Sequence, residues 1–414
     1  MLRPDTLALT VLLALLTAIG PLSMDLYLPA LPEISRVLAA PPSEVQLTIS
    51  AYLVGFGIGQ LVYGPLADEH GRKPVMLAAL AIYVAATLAC AAAPGIGTLI
   101  AARAAQAFGA SGAIVLARAV VRDLYDGARA GREMSRMAMI MGLAPLIGPM
   151  IGSALLTAFG WRACFVFVFL IGLVAIGAVR WLLPETLRAP LRVGLSGLWT
   201  SYGVVARNRV ALAYMAIIAA GYCGLFAFLS GSPFVLQDVQ GLTSFGFAVA
   251  FAAAGIGYVI GTLLAAKLVT RLGLDRTIGW GALAMAAGGL AMVGAIALWP
   301  TAATGVTLAM MLYLVGLGLS MPQAFAGALQ PFPERAGAAS SFIGFVQQTL
   351  AAACGALVGQ SLGATAWPLA IGIAVPGVLT LAIWAVTRKV RGVGAPVAIW
   401  DGKPKRASIE HDEL

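Results

Sequence analysis

Twelve apolar runs of roughly twenty residues, separated by short polar patches, limit what this chain can become. A run of that length crosses a hydrocarbon core of about 30 Å as one α-helix. Inside lipid only helices and closed barrels satisfy every backbone polar group. The runs do not alternate in the ten-residue segments of barrel strands, so helices are expected. Their approximate limits are 6–28, 45–66, 74–94, 97–119, 134–158, 162–183, 210–236, 245–268, 276–298, 302–325, 338–361 and 366–387. With 60% hydrophobic and 10% charged residues, the chain has too few charges to coat a soluble protein of 414 residues. The expected fold class is an all-α polytopic membrane protein.

The basic residues test that count. With both termini inside, all but three of the 26 Lys and Arg fall on the inner side; Arg36 and Arg162 lie outside and Arg103 lies within a span. Cytoplasmic segments carry such an excess. The net charge of +9 therefore reports topology, and no basic stripe with interleaved aromatics points to nucleic acid. The first run reads as an uncleaved helix, because removing it as a signal peptide would upset the charge bias. The terminal "HDEL" imitates a lumenal retention address but sits in a tail expected inside, and is taken as chance.

The longest inner connection, "LPETLRAPLRVGLSGLWTSYGVVARNRV", divides the chain six spans to six. The expected units are an N-terminal bundle at 1–183, a central cytoplasmic loop at 184–209, a C-terminal bundle at 210–388 and a cytoplasmic tail at 389–414. Secondary transporters are commonly built as two such halves around a midplane site. "GPLADEHGRKPVM" after the second span is faintly echoed by "LVTRLGLDRTI" after the eighth, which fits a duplicated unit.

Several chemistries lack candidates. No GxxxxGK[ST] occurs, and "GFGIG" and "GIGYVIG" lie in apolar spans where glycines serve close helix packing. An ATP-driven pump is not expected. No nucleophile–base pair or paired carboxylates stand out, so the chain is not read as an enzyme. Cys90, Cys164, Cys223 and Cys354 are far apart in spans without metal-ligand spacing and are read as buried thiols, with no metal site. His70 and His411 both fall outside the spans.

Of the 17 acids only Asp25, in "TAIGPLSMDLYLPALPEI", remains within a span. An acid at depth costs about 2.5–3.5 kcal/mol on insertion scales and marks an ion path or substrate site. The alternative is that Asp25 lies shallower and caps a short helix near Pro29 and Pro32. Arg103 is the one basic residue well inside a span, with Gln106 at i+3. It needs a wet cavity or a partner, and Asp25 is the only membrane carboxylate available. Arg118 is placed at the inner rim, where it can snorkel. In "GLAPLIGPMIGSALL", Pro145 and Pro149 are one turn apart, as are Gly148 and Gly152, giving a bendable, closely packed helix. Asp68 follows the second span at the negative end of its helix and needs compensation from Arg72, Lys73 or a neighbouring helix N-terminus. Polar and aromatic residues in apolar helices, Tyr27, Tyr52, Gln60, Ser230, Gln347 and Gln348, are the candidate cavity lining.

These pieces resemble a known family. "GPLADEHGRKPVM" resembles the signature loop of the major facilitator superfamily, "RAAQAFG" its fourth-helix arginine motif, and "APLIGPMIGS" the fifth-helix antiporter motif. "MDLYLPALPEI" and "FAFLSGSPFVL" look like the Bcr/CflA branch, the bicyclomycin and chloramphenicol/florfenicol exporters. The resemblance covers about residues 10–385. It implies two six-helix bundles in a bacterial inner membrane, exporting small drugs in exchange for protons, as a monomer and without a cofactor beyond the proton gradient. By the same resemblance Asp25 matches the first-helix acid and, with Arg103, proton coupling. Gly64, Asp68, Gly71, Arg72 and Lys73 match a loop that latches an inner gate, and Pro145, Gly148, Pro149 and Gly152 match the antiporter motif. Glu69 and His70 depart from the family loop, and no second acid stands near Thr17. A proton-linked transporter of a metabolite such as an amino acid or sugar would use the same fold. A receptor or scaffold without transport is the remaining reading.

Overall fold

The protein is described from a computed structural model that covers residues 7–125, 127–187, 195–332, 335–361 and 365–392. Arg3, Asp5, Arg188, Arg192, Glu334, the tail beyond 392 and its "HDEL" lie outside the described residues.

The first apolar run is not one helix to residue 28. It breaks after α1 (Leu7–Asp25), makes a 3₁₀ turn at Leu28–Ala30 and resumes as α2 (Leu31–Val37). Pro29 and Pro32 explain the break, since each sits in a first turn, where a missing N–H costs nothing. Together the pieces make one crossing, Leu9–Val37. The rest of the first half is α3 (Pro42–His70), α4 (Arg72–Ala91), α5 (Ile96–Leu124), α6 (Gly127–Phe159) and α7 (Arg162–Leu182). The second half is α9 (Arg209–Phe234), α10 (Ser244–Leu272), α11 (Leu274–Leu298), α12 (Ala303–Leu329), α13 (Ala336–Ser361) and α14 (Trp367–Val386).

Among the described residues eleven helices are long and apolar enough to span, with α6 contributing the shorter apolar stretch Leu143–Phe159. α6 completes the expected twelve. Its 33 residues reach about 50 Å, so its polar start extends past the hydrocarbon. Large apolar side chains such as Leu263, Leu308 and Leu357 are about two-thirds exposed on the outer surface, as a lipid-facing wall requires. This is a multi-pass membrane protein.

The expected central loop is only partly a loop. It contains α8 (Leu195–Arg207), whose Val205 is fully buried and whose Tyr202 stacks on Phe342 of α13 with ring centroids 5.8 Å apart. Alternating helix direction gathers Arg72, Lys73, Arg122, Lys267, Arg276 and α8 at one end of the bundle, called here the basic face. Arg36 and Arg162 lie at the far face.

The halves repeat one packing scheme. α3 lies on α5 as α10 lies on α12, α4 on α7 as α11 on α14, and α1 on α6 as α9 on α13. Gly55 of "GFGIG" admits the Ala104 backbone, and Gly257 of "GIGYVIG" admits Met311 at the equivalent crossing. These glycines serve helix approach, as expected. The echoed loops also match, since α3 and α10 both close on a left-handed glycine, Gly71 at φ +98° and Gly273 at φ +80°.

The halves meet along α3–α13 and α6–α10. Toward the far face one hydrophobic core joins both halves, with Tyr27, Leu31 and Ile49 packed in the same cluster as Phe228, Phe234 and Leu369. Toward the basic face the core divides, one cluster built from α1, α3–α7 and the other from α8, α9 and α11–α13.

Candidate functional site

Where the core divides, a cavity of about 520 Å³ opens between the halves. Of the six expected lining residues, Tyr52, Gln60, Gln347 and Gln348 line it. Tyr27 does not; its hydroxyl bonds Thr48 at 3.0 Å, and its ring lies under Arg103. Ser230 does not either; it is fully buried in the far-face seam, where its carbonyl accepts from Gln46 Nε2. Both are polar residues that join helices. Tyr222 and Tyr258 line the cavity and went unselected, although they carry the same signal as Tyr52, a phenol in an apolar helix. Phe56, Phe226, Phe228, Phe251 and Phe325 supply aromatic walls.

Asp25 is the last residue of α1, in the middle third of the Leu9–Val37 crossing, 5% exposed and lining the cavity. It is not a cap. The residues that cap the 3₁₀ turn and α2 are Tyr27 and Ala30, and neither makes a side-chain capping bond. Among the described residues no hydrogen bond or ion pair holds the Asp25 carboxylate.

Arg103 lies close by but does not form the expected pair with Asp25. It is fully buried and absent from the cavity wall. Its Nη1 donates to the Ser23 carbonyl at 3.0 Å and to Gln106 Oε1 at 2.6 Å, and Gln106 Nε2 donates to Thr87 Oγ1 at 2.9 Å. Its guanidinium lies 4.2 Å from the ring centroids of both Tyr27 and Tyr52. Aromatic faces, the Ser23 carbonyl and the Gln106 side chain hold the cation instead of a carboxylate, and its Nε has no hydrogen-bond partner among the described residues. Arg103 thus pins the break after α1 to α5 and holds the wall that presents Asp25.

The proline–glycine stretch of α6 packs on the same break. A Cβ on Gly148 would stand 3.1 Å from Asp25 Cβ, and one on Gly152 would strike the Leu26 carbonyl. Pro145 lines the cavity, and Pro149 is buried one turn on. α6 therefore packs directly on Asp25, and α5 holds the end of α1 through Arg103.

The expected loop at 64–73 is almost all helix, since Gly64 to His70 finish α3, Arg72 and Lys73 begin α4 and only Gly71 lies between; the stretch sits at the basic face. Arg72 pairs with Asp68 and reaches Asp123 Oδ2 at 3.0 Å, which also accepts from Thr186 Oγ1 at 3.0 Å. Arg72 is thus the compensation Asp68 needs. Glu185, which no motif had marked, accepts from the backbone N–H of Arg72 at 3.0 Å, Lys73 at 3.1 Å, and Thr186 and Leu187 at 2.9 Å each. It caps α4. Gly71 must lack a side chain, since a Cβ would sit 2.8 Å from Glu185 Oε2. Gly64 has open space around it. The partners of Asp68 and Arg72 belong to the first half or to the connection directly after α7, and none belongs to the second half among the described residues.

Partial burial disfavours the Glu185 charge, but the N–H groups of Leu187, Arg72, Lys73 and Thr186 outweigh it and hold its pKa below the ordinary value. A lowered folded-state pKa contributes stability above the unfolded value, about 4.3, and loses it as pH falls through the folded value. Glu185→Gln is expected to lower the unfolding midpoint at pH 7 by a small amount, under about 1 kcal/mol for so exposed a group. The difference should shrink below about pH 4. Melting curves at both pH values check this, and a difference that does not change with pH would contradict it.

The cavity has one sealed end. At the far face Gln237 Nε2 donates to the Pro29 carbonyl at 3.2 Å, Gln46 bonds Ser230, and Ser50 Oγ donates to the Ala352 carbonyl at 2.9 Å, all from one half to the other. In the other direction the lining continues to Arg118 and Ser340, near the basic-face ends of α5 and α13. Arg118 is near that rim, as expected, but it lines the cavity instead of snorkelling to lipid. Cys223 and Cys354, distant in sequence, meet across α9 and α13. Among the described residues no His, Cys, Asp and Glu cluster could hold a metal.

Comparison with known proteins agrees with this architecture. Residues 13–356 match the family model described as Major Facilitator Superfamily. The uncharacterized MFS-type transporter YdgK of Bacillus subtilis (strain 168) is 32% identical over 393 residues, 93% of this chain and 96% of that protein. A chloramphenicol resistance protein of Pseudomonas aeruginosa is 31% identical over 93% of this chain and 92% of its own. Among solved structures, a D-xylose–proton symporter superposes with a TM-score of 0.72 at 15% identity, over 92% of this chain and 97% of that one, and so shares the fold. The chain belongs to the Major Facilitator Superfamily, in its Bcr/CflA branch.

Proposed function

We propose that this protein is a proton-coupled antiporter that exports small drugs of the chloramphenicol, florfenicol or bicyclomycin type. It works as a monomer in a bacterial inner membrane, with both termini cytoplasmic, so the basic face is the cytoplasmic one. The observation that carries the reading is a cavity between two halves, walled by aromatic rings, into which Asp25 opens as the one lining carboxylate among the described residues. Apolar walls with a few polar groups suit a drug-like solute better than a sugar, which needs hydrogen bonds on every side. The similarity to a chloramphenicol resistance protein points the same way.

In this reading Asp25 carries the proton. With the far-face seam closed, Asp25 releases its proton to the basic side and drug enters from that side. The halves then rock about the site, the seam parts, drug leaves, and Asp25 reloads from outside. Drug and proton compete for one site, which gives exchange. In this reading the Asp68–Arg72 pair at the turn between α3 and α4 helps to latch the halves once they meet at the basic face. No cofactor is needed, since the proton gradient supplies the energy.

Proteoliposomes with oriented protein and an imposed pH gradient test this. Adding chloramphenicol, florfenicol or bicyclomycin should move lumenal pH in the direction of exchange. No drug-evoked proton movement with all three would overturn the drug reading and favour a metabolite, to be sought with amino acids and sugars in the same vesicles.

A further inference from the structure

A side chain of the first half is clamped between two helices of the second, and from this we infer that Gln46 is a positioning residue that sets the balance between the closed and the open far face. The inference rests on the transport reading, in which the far-face seam must part and reseal. Gln46 stands near the far-face end of α3 and is fully buried in the seam. Its Nε2 donates to the Ser230 carbonyl of α9. Its Oε1 rests on Gly359 of α13, where a Cβ would strike the amide. The Ser230 carbonyl fixes which end of the amide is nitrogen. Oε1 then has no hydrogen-bond partner among the described residues, and neither has the Ser230 hydroxyl beside Gly355.

This contact is the far end of a ladder between the halves. α3 and α13 run antiparallel in one register, with Gln46 on Gly359, Ser50 beside Gly355, Gly57 on Gln348 and Gln60 on Gly344. At each level a polar side chain of one helix faces a glycine of the other. Gln60, Gly344 and Gln348 line the cavity, whereas Gln46 and Gly359 lie beyond it in the seam.

The Gln46 amide acts in two directions. The bond from Nε2 holds the seam shut. The buried acceptor without a donor opposes it, since water would serve Oε1 once the seam parts. An apolar side chain of the same length would keep the packing and remove the pull of water. It would leave no orphan behind, because Ser230 lies four residues inside the end of α9 and its carbonyl keeps a helix partner. A methyl group at Gly359 would instead evict the amide. The two changes touch opposite sides of one contact and move the seam in opposite directions, which a general loss of stability would not do.

The test uses full-length protein in nanodiscs with nitroxides on ketone-bearing residues at positions 37 and 245, which leaves the cysteines untouched. Val37 of α2 and Phe245 of α10 are exposed near the far face on opposite halves. Pulsed electron spin resonance reads the distance between them with no drug present, and each variant is checked for a native elution profile and helical content. Native protein should show a short distance and a smaller share at a longer one. Gln46→Met should lower the long share at least about threefold, and Gly359→Ala should raise it by a similar factor. Gly344→Ala, which crowds Gln60 at the cavity end of the same ladder, should not raise it. Unchanged distances in Gln46→Met and Gly359→Ala would overturn the inference. So would shifts of both in one direction, or a rise in Gly344→Ala equal to that in Gly359→Ala. Drug-evoked proton movement judges the transport reading separately, so failure here with exchange intact strikes the role of Gln46 alone.

Discussion

Asp25→Asn is expected to reduce drug-evoked proton movement in proteoliposomes to the level of empty vesicles. The exchange asks one group to bind a proton from one side and release it to the other. Asp25 is the one carboxylate that lines the cavity, at 5% exposure and without a hydrogen-bond partner among the described residues. An amide of the same shape cannot exchange a proton, so the coupled step is lost outright. Packing against Gly148 is unchanged, because Asn keeps the same Cβ. Because Asn stands in for the protonated acid with which drug competes, drug binding measured directly should weaken, and a native elution profile and helical content separate lost coupling from lost folding. Equal proton movement in mutant and native protein would remove Asp25 from the mechanism. Drug binding as tight as in the native protein would contradict the competition of drug and proton for one site.

Gly152→Leu is expected to abolish transport and lower stability by about 3 kcal/mol, the upper end of the overpacking range. The Leu26 carbonyl and its backbone carbon occupy the space a side chain would need. That backbone cannot swing aside like a flexible side chain, because Leu26 follows the end of α1 and is itself 1% exposed. α6 would have to withdraw, opening the wall beside Asp25. Gly148→Ala is the graded companion, since its Cβ would stand 3.1 Å from Asp25 Cβ and needs a shift of only a few tenths of an ångström. It should cost about 1 kcal/mol and leave slower transport. Unfolding midpoints in detergent and initial transport rates measure both. Native values for Gly152→Leu would mean that α1 and α6 do not approach this closely during transport.

The gap between these two glycines shows where one-dimensional reading stops. Both sit in one motif, four residues apart, and sequence alone gives them equal standing. The neighbour decides the difference, a side-chain carbon for Gly148 and a backbone carbonyl for Gly152.

The sequence by itself determined the all-helical membrane architecture, the span count, the two-half division and Asp25 as the acid within the membrane. Those follow from hydrophobic run length, charge placement and the cost of an acid in hydrocarbon, which are properties of local composition. The motifs then carried the family. Tertiary structure alone decided what each polar residue faces. Arg103, read as needing a wet cavity or a partner such as Asp25, is held by carbonyls and two tyrosine rings. Tyr27 and Ser230 went to seams, while Tyr222, Tyr258 and Arg118 went to the cavity. Glu185 gained its role from N–H groups more than a hundred positions away in sequence. In a helix that is apolar on all sides the sequence carries little amphipathic signal to mark a cavity face. Which side meets lipid, a neighbouring helix or the cavity is set by how the helices cross, and only the packed bundle contains that information.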